Sequence, residues 1–114
     1  MDRQIDFTVK ENSYTIKLPT AGQLLDIEEY KAVFTNGRYG AILANRTKSS
    51  EAALDNVDMM AHLTAMCPDL IKDMAAKGLS DWKQMSIIDL KELKEPYEKI
   101  FLPWFKDFEK QAQG

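Results

Sequence analysis

The sequence predicts an α+β fold, mostly α: an N-terminal two-stranded β-hairpin packed on a bundle of about four to five helices. Three patterns carry this. Residues 5 to 9, "IDFTV", and 14 to 18, "YTIKL", alternate apolar and polar positions, the period of a half-buried strand. After Pro19 the period lengthens to that of a helix, with Leu24, Ile27, Tyr30 and Phe34 on one stripe. From Ile87 to Phe108 apolar residues recur almost without a gap at three- and four-residue steps.

The turn-forming "KENS" joins the two strands, although Asn12-Ser13 is not the favoured Asn-Gly pair. A lone hairpin is marginal in water, so the face bearing Ile5, Phe7, Val9, Ile16 and Leu18 is expected to rest on helices. Pro19 has no N–H for a ladder and ends the second strand. Thr20 then caps the next helix with Gln23 completing a capping box, and that helix runs from Ala21 to Thr35, where Asn36-Gly37 stops it.

"RYGAILANR" holds a helix of about two turns, followed by the polar loop "RTKSS". Ser49 or Ser50 caps a longer helix over Glu51 to Cys67, whose broad apolar face suits a central position. Pro68 ends it or opens the next, and Gly78 stops "PDLIKDMAAK". Ser80 opens a short turn containing Trp82, and Ser86 caps the last segment. Pro96 and Pro103 each remove a donor, which predicts a kink or break near Pro96 and a final turn started or bent at Pro103. The expected organisation is a single domain over 1–114: hairpin 1–19, helical body 20–111 and a frayed tail 112–114.

Composition narrows function. At 45% hydrophobic and 29% charged residues the chain is too apolar to stay disordered. A net charge of −3, spread evenly along the chain, leaves no basic arm for nucleic acid. No apolar run approaches the roughly 20 residues that span a bilayer. The sole cysteine, Cys67, has no intramolecular partner, and "MDRQIDF" lacks the features of a signal peptide, so a reducing cytoplasm is the expected location.

Reactive constellations are sparse. His62 and Cys67 stand five residues apart, about 140° around a helix, so they do not share a face. His62 follows Asp58 by four residues and reads as a local helix pair. One histidine and one cysteine fall short of a structural zinc site, and no other metal or cofactor is expected. The acidic pairs Glu28-Glu29, Asp55/Asp58, Asp69/Asp73 and Glu92/Glu95 lie beside lysines or early in helices, the ordinary pattern of a solvated face. "TNGRYG" matches no phosphate-loop fingerprint and reads as a helix-connecting turn. "NRTKSS" could face an anion but reads as a capped loop. Two features leave alternatives open: the aromatics of "PYEKIFLPWFKDF" are either core or a partner-covered surface, and Leu25 and Val33 fall partly outside the first helix's stripe.

The stretch "FTVKENSYTIKLPTAGQLLDIEEYK" resembles the start of tail assembly chaperones of long-tailed bacteriophages, in which a small β-element ends in a "PTAG" or "PTVG" turn before a helical body. Tyr14 to Leu18, Pro19, Thr20, Ala21, Gly22 and Leu24 carry the match. "TKSSEAALDNVDMMAHLTAMCPDLIKDM" and "FLPWFKDF" are similar to segments of small phage tail-module proteins. The resemblance implies a non-enzymatic protein that binds the hydrophobic tape-measure protein through apolar helix faces and helps recruit tail-tube subunits. The expected contact residues are Leu25, Tyr30 and Phe34, with Tyr97, Phe101, Trp104 and Phe105 near the end. Self-association through the terminal aromatics, Trp104 included, is expected if that segment stays exposed in one subunit. The alternatives are a permanent structural protein of the tail or connector and, third, a small-ligand-binding domain or enzyme.

Overall fold

The computed structural model describes residues 1–113, and it is an α+β fold with an N-terminal antiparallel hairpin and five helices among those residues. The hairpin comprises β1 (Gln4–Val9) and β2 (Asn12–Lys17), with Ile5 opposite Ile16 and Phe7 opposite Tyr14. The turn is shorter than expected: only Lys10 and Glu11 lie outside the ladder, and Asn12 and Ser13 belong to the strand. A two-residue link fits the strand twist when φ is positive at its first position, and Lys10 takes φ 56° there despite its Cβ.

The first helix, α1 (Ala21–Phe34), opens on the predicted capping box. The Gln23 amide donates to Thr20 Oγ1 at 3.1 Å and the Thr20 amide to Gln23 Oε1 at 3.0 Å. It ends as predicted: Asn36 and Gly37 both have positive φ, and the Gly37 amide reaches back to the Ala32 carbonyl at 2.7 Å. Next come α2 (Tyr39–Ala44) and α3 (Lys48–Met66). The cap of α3 is Thr47, earlier than the expected Ser49 or Ser50; Ser50 instead returns the bond from the third helical position. Pro68 opens α4 (Pro68–Ala76), where its missing N–H has no intrahelical partner to lose. Gly78, φ 83°, stops it.

Asp81 rather than Ser80 caps a 3-10 turn at Trp82–Gln84, and Ser86 caps α5 (Ile87–Pro96). Of the kink or break expected near Pro96, the break does not occur. Pro96, Tyr97 and Leu102 keep right-handed helical angles, so α5 continues through a π-helical segment, Tyr97–Phe101, into α6 (Leu102–Gln113). The helix accommodates its prolines by changing hydrogen-bond register. The Tyr97 amide is shared between the carbonyls of Leu93 and Lys94, and the Leu102 amide reaches five residues back to Tyr97. This wider turn lies between Pro96 and Pro103, neither of which has an N–H to give. The expected frayed tail is helical through Gln113, while Gly114 lies outside the described residues.

The chain divides into two compact units: unit 1, Met1–Leu18 with Met74–Gly114, and unit 2, Pro19–Asp73. In unit 1, β1 packs on α5 and the π-helical segment. Phe7, Ile16 and Phe101 are fully buried, and Leu90, Leu93, Tyr97, Trp104 and Phe105 of the long helix are buried with them. The opposite hairpin face, Gln4, Asp6, Thr8, Ser13, Thr15 and Lys17, is polar and exposed. The Trp104 indole N–H donates to the Asp2 carbonyl at 2.8 Å, tying the start of the chain to its last helix. In unit 2, α3 is packed by both α1 and α2. Five consecutive α3 residues, Met59 to Leu63, are buried, so that stretch is enclosed around its whole circumference, the central position its sequence predicts.

Candidate partner-binding surface

The expected contact residues separate by burial. Leu25 is 61% exposed, whereas Tyr30 and Phe34 are half-buried and stack on each other with centroids 5.7 Å apart. Tyr97, Phe101, Trp104 and Phe105 are interior: Phe101 is 0% exposed and the others no more than 7%. Phe101 stacks on Tyr97 at 5.2 Å and on Phe105 at 5.3 Å, and meets Trp104 edge-on at 5.9 Å. In the folded chain these four are packing residues, because a surface buried against its own unit presents little area to a partner. That includes Trp104, through which self-association was expected.

On α1, Ile27 is the buried anchor, and Leu24 of the expected stripe is partly exposed. Lys31 takes an inner position instead: its side chain is largely covered, and its ammonium lies 3.3 Å from Glu28, 4.0 Å from Asp58 and 5.4 Å from the centre of the Tyr39 ring. Leu25 and Val33, about 80° apart around the helix, project on the side away from Ile27, and Val33 is 65% exposed. One helix is therefore apolar on both its inner and outer sides. Sequence reasoning picked out Leu25 and missed Val33 as a surface residue, although both fall outside the stripe. Ile87, which opens the last apolar run of the sequence, and Ile88, both in the first turn of α5, are each 71% exposed. A polar position cannot be told from an apolar surface one by spacing when both sides of a helix carry apolar residues.

Unit 2 also gathers its ionisable groups. The Tyr39 hydroxyl donates to Asp58 Oδ1 at 2.7 Å, holding α2 to α3. Burial, reinforced by that bond, raises the Tyr39 pKa and keeps the phenol protonated. The predicted Asp58–His62 pair exists, but through the backbone: His62 Nδ1 lies 2.7 Å from the Asp58 carbonyl. Burial holds His62 below its ordinary value, favouring the neutral ring. Burial likewise pushes the Cys67 thiol up to about 11. The three groups best suited to reactive chemistry thus rest in protonated or neutral forms near neutral pH. An open cleft of about 370 Å³ is lined by Tyr39, Leu43, Arg46, Glu51, Asp55 and Asp58. Neither it nor any other cluster of described residues gathers three His, Cys, Asp or Glu side chains able to hold a metal ion. No helix among the described residues is long and apolar enough to cross a membrane. The "TNGRYG" and "NRTKSS" segments are turn and cap, with their backbone and hydroxyl groups engaged locally. No protein-family model, curated protein or solved structure matches this chain.

Proposed function

We propose that this chain is a non-enzymatic assembly chaperone of a long-tailed bacteriophage, acting in the host bacterial cytoplasm. It holds the tape-measure protein soluble through apolar helix faces and passes it to tail-tube subunits. The observation that carries the reading is the double-sided α1: Ile27 anchors the helix inside while Leu25 and Val33 stay exposed. Exposed leucine and valine on a helix contribute nothing to the fold's own core, and an amphipathic partner helix is the occupant such a face accommodates. The hairpin, "PTAG" turn and capped helix that carry the family resemblance supply the second support.

The proposed contact set is Leu25 and Val33, on the side of α1 away from Ile27. Co-expression with a tape-measure fragment that is insoluble alone tests it. Wild type is expected to carry the fragment into the soluble fraction, and Leu25→Asp with Val33→Asp to leave it insoluble while keeping the chain's own helical signal. A fragment equally insoluble with and without wild type sinks the proposal. Mass spectrometry of purified virions adds a separate check, since stoichiometric retention of the chain would point to a structural tail component instead.

A further inference from the structure

Each strand of a two-stranded hairpin turns one row of backbone N–H and C=O groups away from its partner. The Leu18 amide bonds to the Arg3 carbonyl, and with the observed register this makes 3/18, 5/16, 7/14 and 9/12 the hydrogen-bonded pairs. Residues between them point the other way, so the N–H and C=O groups of Ser13, Thr15 and Lys17 face outward from β2. The sheet has two strands only among the described residues, and the side chains of all three residues are exposed. Exposed edges of this kind are normally blunted by proline, a bulge or several charges. β2 has no proline, no register break and one charge, Lys17.

The sequence of β2 is complementary to itself about Thr15. Set antiparallel against a second copy with Thr15 facing Thr15, the outward residues meet only outward residues: Ser13 meets Lys17 and Lys17 meets Ser13. Each of those pairs can exchange both backbone bonds. On the polar face the register sets Thr against Thr and Lys against Ser, with no like charges opposed. On the apolar face Tyr14 falls opposite Ile16 in both directions at the non-hydrogen-bonded positions, with Ile16 already covered by its own unit. A slip of one residue would set outward residues against inward ones, and a slip of two would bring Tyr14 against Tyr14 and leave Lys17 without a partner in β2.

We propose that β2 is a self-association edge, pairing antiparallel with β2 of a second copy into a continuous four-stranded sheet of order β1-β2-β2-β1. This site is distinct from the α1 face and stands whether or not that face binds a tape-measure protein.

Light scattering coupled to size exclusion, run over about a hundredfold range of concentration, tests it. Wild type is expected to move from the 13.0 kDa of one chain toward twice that mass. Ser13→Glu places a carboxylate opposite the partner copy's Lys17 and should tighten association, while Ser13→Lys opposes like charges twice and should weaken it by roughly two- to thirtyfold. Thr15→Pro removes an amide that β1 does not use and should give a single-chain mass with unchanged circular dichroism. If that variant loses its hairpin, the ordering of Ser13→Glu, wild type and Ser13→Lys still decides the matter. A wild type of single-chain mass throughout, or a dimer indifferent to the charge at position 13, overturns the proposal.

Discussion

His62 is the residue at which acid is expected to act. Burial keeps its folded pKa below the ordinary 6.5, so as pH falls the unfolded chain takes up the proton first. The stability gained by keeping the ring neutral is complete above about pH 6.5 and is lost as pH falls from there toward the folded value. The thermal midpoint of wild type should therefore drop between about pH 7.5 and about pH 5.5, a window above the ordinary carboxylate range. His62→Gln, whose amide can still donate to the Asp58 carbonyl, should flatten that drop; equal slopes for the two proteins would count against a buried neutral histidine. Cys67 gives a second residue-scale expectation. With its thiol pushed up to about 11, roughly one molecule in a thousand carries thiolate at pH 8. Disulfide reagents should label it slowly in buffer and promptly in denaturant, and prompt native labelling would show that the helix end at Cys67 opens readily. Sequence spacing paired Asp58 with His62 but could not show that the contact uses the carbonyl, because the Asp58 carboxylate is taken by Tyr39, nineteen residues away.

At the scale of elements, local rules were legible wherever the deciding partners lie within a few residues. Thr20 with Gln23, Asn36-Gly37, Pro68, Gly78 and Ser86 all act as the sequence predicts. The misplaced features involve a choice among neighbours with similar chemistry: Thr47 over Ser49 or Ser50, and Asp81 over Ser80. At Pro96 the lost donor and the restriction on the preceding residue predict a kink or break; the helix does not break, because the π-helical turn at Tyr97–Phe101 reassigns the neighbouring bonds and keeps Leu90, Leu93 and Phe101 buried. Gly22 is a further correction. Its place in the "PTAG" turn suggests close packing, yet a Cβ added there would meet only Thr20 Oγ1, at 3.8 Å, an ordinary contact. Gly22→Ala should raise stability by about 0.5–1 kcal/mol, read from the urea midpoint, since alanine loses less backbone freedom in a helix. A destabilised variant would show that the first turn of α1 needs glycine after all.

For the whole molecule, the division into units decides what a given probe reports. Both tryptophans, Trp82 and Trp104, belong to unit 1, so intrinsic fluorescence follows that unit. Phe101 is its most enclosed aromatic, touching Tyr97, Trp104 and Phe105. Phe101→Ala should cost about 3–5 kcal/mol in urea unfolding followed by fluorescence, the range for an emptied aromatic site. A cost below about 1 kcal/mol would mean that the site collapses freely or is not packed as described. Leu25→Ala, on exposed surface, should stay within about 0.5 kcal/mol of wild type. The helical face from Ile87 to Phe108 was legible from its spacing, but whether it was core or partner surface was not, because that depends on Phe7 and Ile16 arriving from the far end of the chain.

That arrangement sets an order of assembly on the ribosome. The segment Pro19–Asp73 is continuous, so unit 2 can close as soon as it has emerged. Phe7 and Ile16 are synthesised first yet are covered by a helix made last. At about 5–20 residues per second, the interval between Leu18 and Phe105 is roughly 4 to 17 s, during which a two-stranded hairpin has little to hold it. A message truncated before Phe105 would release a chain whose Pro19–Asp73 unit can close while the apolar face of the strand pair stays uncovered.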